Sequence, residues 1–292
     1  MGAIEIMTPG MLERMRRSCA LAADTLLMVG EHLREGMTTE DINALVHEYI
    51  TSHDAYPSPL NYNGFPKSVC TSVNDCVCHG IPSKRQALRA GDIVNVDVTT
   101  LFPAKSGFHG DTSATFYIGE PGADAKRVTE VARRCLELGI AEVREGARIG
   151  DIGAAIQEHA ERQGCSVVRD YVGHGVGRIF HMAPQIPHYG ERGKGRRLKA
   201  GWVFTIEPMI NIGGYETDLQ ADDWTVLTAD RSLSAQFEHT VLVTKSGVEV
   251  LTRRNGILRH SEDLPWSDVG PLSAPVPWEA RRDNREPRAE AH

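Results

Sequence analysis

The sequence contains no apolar run long enough to cross a membrane as a helix, and it has no excess of positive charge. Asp and Glu (39) outnumber Lys and Arg (32), which gives a formal net charge of -7. This balance argues against a general role in binding nucleic acids or anionic membranes. The first residues, MGAIEIMTPG, lack a basic stretch followed by an apolar one, so we expect no signal peptide.

Cysteine is scarce as well. Six cysteines in 292 residues are too few for a disulfide scaffold, and Cys76 and Cys78 are too close together for the usual zinc-binding spacing. We therefore expect reduced thiols and a cytoplasmic location. Hydrophobic residues make up 41% of the chain and charged residues 24%, which is ordinary usage for a globular protein with a sizeable core.

Four segments have the apolar spacing and the end signals of helices. The chain between and after them has the character of strands and loops up to about Thr252. The predicted helices are a first from Thr8 to about Gly36, a second capped by Thr38, and two more over about Asp124–Glu145 and Ile149–Gln163.

One predicted strand carries an unexpected acid. In GDIVNVDVTT, beginning at Gly91, alternate valines predict a face that packs on the core, while the opposite face carries Asp97. A second acid, Asp111, is expected after a loop, at the head of a strand over Thr112–Ile118. Two carboxylates on neighbouring strands are costly to bury unless cations balance them.

The sequence also repeats itself at an offset of 110 residues, from Gly36 to Gly146 and from Gly91 to Gly201. At this offset GDIVNVD aligns with GWVFTIE, which places Asp97 opposite Glu207. A looser echo relates the segment at Asp111 to the one at Glu238. Each half is predicted to run helix, helix, strand, strand, so two halves around a pseudo-two-fold axis would bring their polar faces together.

The repeat relates four acids to one another: Asp97, Asp111, Glu207 and Glu238. His174 and His181 lie between the second and the third of these acids in the sequence. Oxygen ligands with one imidazole suit Mn²⁺, Fe²⁺, Co²⁺ or Zn²⁺, and about four negative charges balance two such ions. The glycines beside His174 are expected to let the backbone approach the ions.

Each residue alone has a simpler interpretation, since most strand acids form ion pairs or caps. A dinucleotide loop at GHGVG is disfavoured because Pro184 and Pro187 prevent the helix that must follow.

Six segments together resemble the type I methionine aminopeptidases of metallopeptidase family M24, across roughly Thr8–Thr252. They are GFPKSVCTSVNDCVCHGIP, GDIVNVDVT, GFHGDTSATF, YVGHGVGRIFH, FTIEPMI and SAQFEHT. The resemblance implies an α+β pita-bread fold, in which a pseudo-two-fold mixed β-sheet is backed by helices. It also implies removal of the initiator methionine from nascent proteins whose second residue is small, with a metal-bridging hydroxide attacking the scissile carbonyl.

The resemblance further implies a role for particular residues. His79 would form a hydrogen bond near the substrate amine and the scissile amide, and His181 would contact the substrate carbonyl or the tetrahedral oxyanion. From the chemistry of the site, Glu207 is the best candidate for handling the proton of the attacking water while also holding metal. Asn74 and Ser234 match a monovalent-cation site. The implied ligands of two divalent ions are Asp97, Asp111, His174, Glu207 and Glu238. The implied methionine pocket consists of Tyr62, Phe65, Cys70, Phe180 and Trp224.

The chain departs from the family pattern in three places. The loop Leu101–Gly107 is longer than usual, Pro59 stands at a pocket-rim position that is often Cys, and residues 253–292 lie beyond the resemblance. We predict one catalytic domain over 1–252 and a Pro- and Arg-rich extension over 253–292 that is extended or partly disordered. Residues 207–238 leave too little chain for the helical insertion of the type II enzymes.

The expected partners are nascent polypeptide N-termini, and contact with the ribosome is a hypothesis that rests on this substrate alone. We expect a monomer that binds neither specific DNA nor membranes. Two alternatives remain open. One is a related peptidase acting on Xaa-Pro peptides, which the YVGHGVG and FEHT contexts disfavour. The other is a non-catalytic pita-bread binding protein, which the complete set of acids and His174 disfavours.

Overall fold

The computed structural model describes residues 4–253, which form four α-helices and fifteen strands. The helices are α1 (Pro9–His32), α2 (Thr39–Ser52), α3 (Ala123–Ala141) and α4 (Ile149–Arg162). The strands are β1 (Tyr56–Pro57), β2 (Cys70–Val73), β3 (Cys76–Cys78), β4 (Ile93–Phe102), β5 (Phe108–Tyr117), β6 (Ser166–Val167), β7 (Gly173–Gly175), β8 (Met182–Ile186), β9 (Val203–Ile206), β10 (Met209–Asn211), β11 (Thr217–Leu219), β12 (Val226–Thr228), β13 (Ser234–Gln236), β14 (Glu238–Val243) and β15 (Val248–Val250). All four predicted helices are confirmed, although α1 and α3 end a turn earlier than predicted.

The main sheet has nine strands. Its central order is β1-β4-β5-β14-β9-β7-β8, with β2 added beside β4 and β15 beside β14. Two separate three-stranded sheets have the orders β13-β10-β6 and β11-β12-β3. Every pairing among these strands is antiparallel, so the sheet is antiparallel and not mixed as we predicted.

The two halves repeat each other in backbone detail. The amide of Gly36 donates to the carbonyl of Leu88 at 2.9 Å, and at the same offset Gly146 donates to Leu198 at 3.0 Å. The φ angles of these two glycines are 85° and 86°, a left-handed conformation in which glycine has no Cβ penalty. The repeat found in the sequence is therefore a repeat of structure.

Helix α1 lies against β4 and β5 because its apolar stripe faces the sheet. Met15, Cys19 and Leu26 on this stripe are fully buried. The approach is closest at Gly110 of β5, where an added Cβ would lie 2.5 Å from the backbone nitrogen of Cys19. The hydroxyl of Ser18 also donates to the carbonyl of Thr100 in β4 at 2.9 Å. These contacts fix the helix over the hairpin that carries the first two acids.

The β4–β5 hairpin is longer than the sequence indicated. Strand β5 begins at Phe108, four residues before the predicted Thr112, so Asp111 lies inside the strand. The pairing runs without interruption from Ile93↔Tyr117 to Phe102↔Phe108. At both Gly107 and Gly110, a neighbouring backbone leaves no room for a Cβ.

The predicted division into a catalytic domain and an extension stays a prediction. Except for Arg253, the extension lies outside the described residues. Within residues 4–253 no helix combines the length and apolar character needed to cross a membrane.

Candidate metal centre

Adjacent strands of the main sheet bring three acids to one face. In register, Asp97 of β4 lies opposite Ser113 of β5, and Ser113 lies opposite Glu238 of β14. Asp111 is two residues from Ser113 and shares its face, because side chains alternate along a strand. Glu207 follows the last residue of β9, which pairs with β14 next to Glu238.

His174 of β7 completes the cluster. Its Nε2 lies 3.6 Å from Oδ2 of Asp111 and 3.6 Å from Oε1 of Glu207. Ligand atoms of Asp111, His174 and Glu238 all lie within 4.8 Å of one another. The other ring nitrogen, Nδ1, donates to the carbonyl of Gly175 at 3.1 Å, which leaves Nε2 free to coordinate an ion.

The glycines on either side of His174 pack closely against neighbouring strands. The expectation that they let the backbone approach the ions stays a prediction. A Cβ on Gly173 would lie 2.4 Å from the carbonyl oxygen of Thr205, and one on Gly175 would lie 2.2 Å from that of Ala183. Strand β7 is therefore packed tightly between β8 and β9. The imidazole of His174 reaches two of the acids, Asp111 and Glu207.

Threonines orient two of the carboxylates. Thr99 donates to Oδ1 of Asp111 and Thr205 donates to Oε1 of Glu207, each at 2.6 Å. The hydroxyl of Thr205 also accepts a hydrogen bond from the backbone amide of His174 at 2.9 Å. One threonine thus connects two candidate ligands, as outer-shell groups around metal sites commonly do.

The charge state of the cluster fits a metal centre. Burial raises the pKa of Asp97 to about 7 and that of Glu207 to about 8, and it raises the pKa of Asp111 well above its ordinary value. Burial lowers the pKa of His174 to about 4, so this ring brings no positive charge at neutral pH. Oδ1 of Asp97 is buried and accepts no hydrogen bond from residues 4–253. Bound cations would satisfy this oxygen and favour the ionised acids.

A pocket opens onto this cluster. It is lined by all five candidate ligands, both catalytic candidates and every residue of the predicted methionine pocket: Asp97, Asp111, His174, Glu207, Glu238, His79, His181, Tyr62, Phe65, Cys70, Phe180 and Trp224. Pro59 and Thr99 complete the lining. The structure therefore brings together residues that are up to 179 positions apart, from Pro59 to Glu238.

Aromatic rings form two walls of the pocket. On one side, the ring of Trp224 lies edge-on to Phe65 at 5.1 Å and to His79 at 6.0 Å. On the other side, Tyr62 lies 4.9 Å from Phe180 and 5.0 Å from His181, all between ring centroids. Burial lowers the pKa of His79 to about 4, so its ring is neutral at pH 7.

The predicted monovalent-cation residues lie together but apart from this pocket. The amide of Ser234 donates to the carbonyl of Asn74 at 2.9 Å. The side chain of Asn74 donates to Asp92 and accepts from the amide of Ile93. The hydroxyl of Ser234 is buried without a hydrogen bond within the part of the chain that is described. The cation site stays a prediction.

Two further histidines at the site were not predicted from the sequence. His188 is fully buried, and its Nε2 accepts a hydrogen bond of 3.1 Å from the backbone amide of Glu207. His109 stacks on Phe180 with 5.4 Å between ring centroids, and its Nδ1 shares a hydrogen bond of 2.8 Å with the hydroxyl of Ser58. Neither takes part in the repeat. The one available signal was the position of His109 two residues before Asp111, which places both on one face of β5.

Fold and site together define a metallopeptidase. Residues 13–245 match the model of metallopeptidase family M24, and the chain belongs to this family. It is 55% identical over 241 residues to methionine aminopeptidase A of Synechocystis, covering 82% of this chain and 94% of that protein. It is 52% identical over 250 residues to the methionine aminopeptidase of Rickettsia prowazekii, covering 85% and 95% of the two chains. The resemblance noted in the sequence is thereby confirmed.

Solved structures agree with this placement. The crystal structure of the Rickettsia prowazekii methionine aminopeptidase superposes with a TM-score of 0.84 at 51% identity, over 86% of this chain and all of that one. The prolidase of Pyrococcus horikoshii superposes with a TM-score of 0.67 at 20% identity, over 87% of this chain and 65% of that one. The second likeness is one of fold alone. The predicted pita-bread fold is confirmed, with the antiparallel sheet described above.

Proposed function

We propose that this chain removes methionine from the N-terminus of polypeptides whose second residue is small, and that it needs two divalent metal ions to do so. The observation that carries the proposal is the single pocket in which aromatic rings and Cys70 face a cluster of four acids and His174. A thioether side chain packs favourably against aromatic rings and a thiol. The pocket would therefore hold a methionine side chain next to the reactive groups.

The proposed ligands of the ions are Asp97, Asp111, His174, Glu207 and Glu238. When bound, Mn²⁺, Fe²⁺, Co²⁺ or Zn²⁺ ions would lower the pKa of a water molecule in the site, so that hydroxide is available near pH 7. Hard oxygen ligands with one imidazole accept several of these metals.

The side chains around the cluster have separate tasks. Glu207 would take up a proton from the attacking water, because it lies beside His174 in the cluster and bound cations would keep its carboxylate ionised. His181 would donate a hydrogen bond to the carbonyl oxygen as negative charge develops there. His79, which lies against Trp224, would contact the nitrogen of the scissile amide.

The proposed substrates are the N-termini of nascent proteins. The chain would bind them as a monomer in the cytoplasm. All six cysteines are free and buried, which suits a reducing compartment. Contact with the ribosome remains a hypothesis. Pelleting of the purified protein with ribosomes would test it, and a protein that stays in the supernatant at low salt would exclude it.

The activity is tested with short peptides. Protein stripped of metal should not cleave Met-Ala-Ser and should release free methionine after addition of Mn²⁺ or Co²⁺. Met-Leu-Ser and an Ala-Pro peptide are the matched substrates, and both should be cleaved poorly under the same conditions. Faster cleavage of the Ala-Pro peptide would favour the Xaa-Pro alternative, and full activity after exhaustive chelation would refute metal dependence.

A further inference from the structure

The hydroxyl of Tyr62 lies 2.9 Å from Nδ1 of His181. This contact joins residues 119 positions apart, one in a short 3-10 turn over Tyr62–Gly64 and the other directly before β8. The His181 ring is held between Phe180 and His174, each with its centroid 4.1 Å away. The orientation of the imidazole is thus fixed by a hydrogen bond at one edge and by rings beside it.

A neutral imidazole carries one hydrogen, and the partner of one ring nitrogen decides where this hydrogen sits. Two arrangements fit the contact. Either Nδ1–H donates to the phenol oxygen, or the phenol donates to an unprotonated Nδ1. The second is favoured, because a phenol is a far stronger acid than a neutral imidazole, and the imidazole nitrogen is a stronger base than the phenol oxygen.

The environment of Tyr62 supports the same arrangement. Within the described residues, Nδ1 of His181 is the one hydrogen-bond partner recorded for its hydroxyl. If Nδ1 carried the hydrogen, the phenol O–H would have no acceptor in the described part of the chain. With the phenol as donor, both groups are satisfied and the hydrogen of His181 must be on Nε2.

We propose that Tyr62 is a positioning residue that selects the Nε2–H tautomer of His181 and thereby provides the hydrogen-bond donor for the developing oxyanion. This inference deepens the proposed function and rests on it. Tyr62 therefore has a task beyond lining the methionine pocket. The wrong tautomer would present a lone pair to the oxyanion, which repels negative charge.

The chain offers a matched control in Tyr56. Its hydroxyl donates to the carbonyl of Leu60 at 2.9 Å and accepts from Asn61, so Tyr56→Phe removes the same atom from a tyrosine that does not contact His181. Tyr62→Phe keeps the aromatic ring against Phe180 and removes the contact to Nδ1.

The first readout is the ¹⁵N spectrum of the zinc-loaded protein without substrate, with His181 identified by the signals that His181→Gln removes. We expect an unprotonated Nδ1 and a protonated Nε2, unchanged in Tyr56→Phe and shifted toward a mixture in Tyr62→Phe. Protonation of Nδ1 in the unmodified chain, or a spectrum that Tyr62→Phe leaves unaltered, would overturn the inference. Because no turnover is measured, this outcome is independent of whether the chain releases methionine.

The second readout is kinetic. Tyr62→Phe should lower kcat for Met-Ala-Ser about tenfold with little change in KM, since the donor is lost in part while the pocket wall is kept. Tyr56→Phe should leave both constants unchanged. A rise in KM with an unchanged kcat would mean that Tyr62 only lines the pocket, which contradicts the proposed role.

Discussion

Thr99 donates a hydrogen bond of 2.6 Å to Oδ1 of Asp111, while Oδ2 of the same carboxylate lies 3.6 Å from Nε2 of His174. The threonine therefore sets which oxygen of Asp111 faces the cluster. Thr99 and Asp111 lie opposite each other in the β4–β5 register, so the pairing of the two strands holds this hydrogen bond in place.

Replacing Thr99 with valine should weaken metal binding. The substitution keeps the shape of the side chain but removes the donor, so Asp111 can rotate away from its coordinating orientation. Loss of such an outer-shell partner typically costs about 10- to 100-fold in metal affinity. Competition with a metal-sensitive dye measures the change, and Thr99→Ser, which restores a hydroxyl, should recover most of the affinity. Equal affinities in all three proteins would exclude this role.

Removing a ligand should have a larger effect. Asp97→Ala and Glu238→Ala should each reduce bound metal and abolish turnover, because they delete an oxygen donor from opposite halves of the fold. Elemental analysis of the purified variants measures metal content. Glu249→Gln is the matched control, since Glu249 lies in the same sheet but pairs with exposed Arg16 at 2.7 Å. A Glu238→Ala variant with normal metal content and rate would show that this acid is not a ligand.

The stability of the metal-free protein should fall as pH rises from about 6.5 to 8. Folding raises the pKa of Asp97 to about 7 and that of Glu207 to about 8, so in this range the folded chain still binds protons that the unfolded chain has released. Rising pH then favours unfolding. Histidines buried in the neutral form, such as His188, contribute the opposite dependence, but mainly below pH 6.5.

Urea unfolding in the presence of a chelator measures this trend. The neutral substitution Asp97→Asn should flatten the fall in the free energy of unfolding, and a saturating divalent metal should remove it. A metal-free protein equally stable at pH 6.5 and pH 8 would argue against buried, proton-binding acids.

The glycine at position 175 should not tolerate a side chain. An alanine Cβ there would lie 2.2 Å from the carbonyl oxygen of Ala183, which forces β7 and β8 apart and displaces His174. Gly175→Ala should lower the free energy of unfolding by about 1–3 kcal/mol, the cost expected for overpacking a tight site. Chemical denaturation tests this, with Gly10→Ala as control because, in the described structure, a Cβ at that position would meet no atom within 4 Å. Equal stability of the two variants would contradict the packing argument.

Much of the fold and the site could be predicted from the sequence because the two halves of the chain repeat the same order of elements. The offset that relates Gly36 to Gly146 also places Asp97 opposite Glu207, and local end signals such as Thr38 position the helices. The equivalence of Asp111 and Glu238 is looser. Asp97 lies opposite Ser113, and the β9–β14 register, continued by one residue from Ile206↔His239, places Glu207 opposite Glu238. Glu238 therefore corresponds to Ser113, two residues away from Asp111.

The parts that could not be predicted depend on contacts between distant segments. Strand β5 begins early because β4 pairs with it along its full length and α1 presses on Gly110, and neither contact is visible in local sequence. His188 contributes through one hydrogen bond to a backbone amide 19 positions away. Thr99 and Thr205 resemble ordinary strand residues in the sequence, and only the structure shows that they donate hydrogen bonds to Asp111 and Glu207.

The pairing of Ser113 with Glu238 has a consequence for the synthesis of this chain. Because β5 and β14 must meet before the last acid joins the others, a growing polypeptide that has not yet reached β14 lacks a complete site. A hydrolase assembled in this way gains its activity only once both halves have been made and folded together. Metal uptake would then report the completion of folding, and a truncated product would be inert rather than a partly active peptidase.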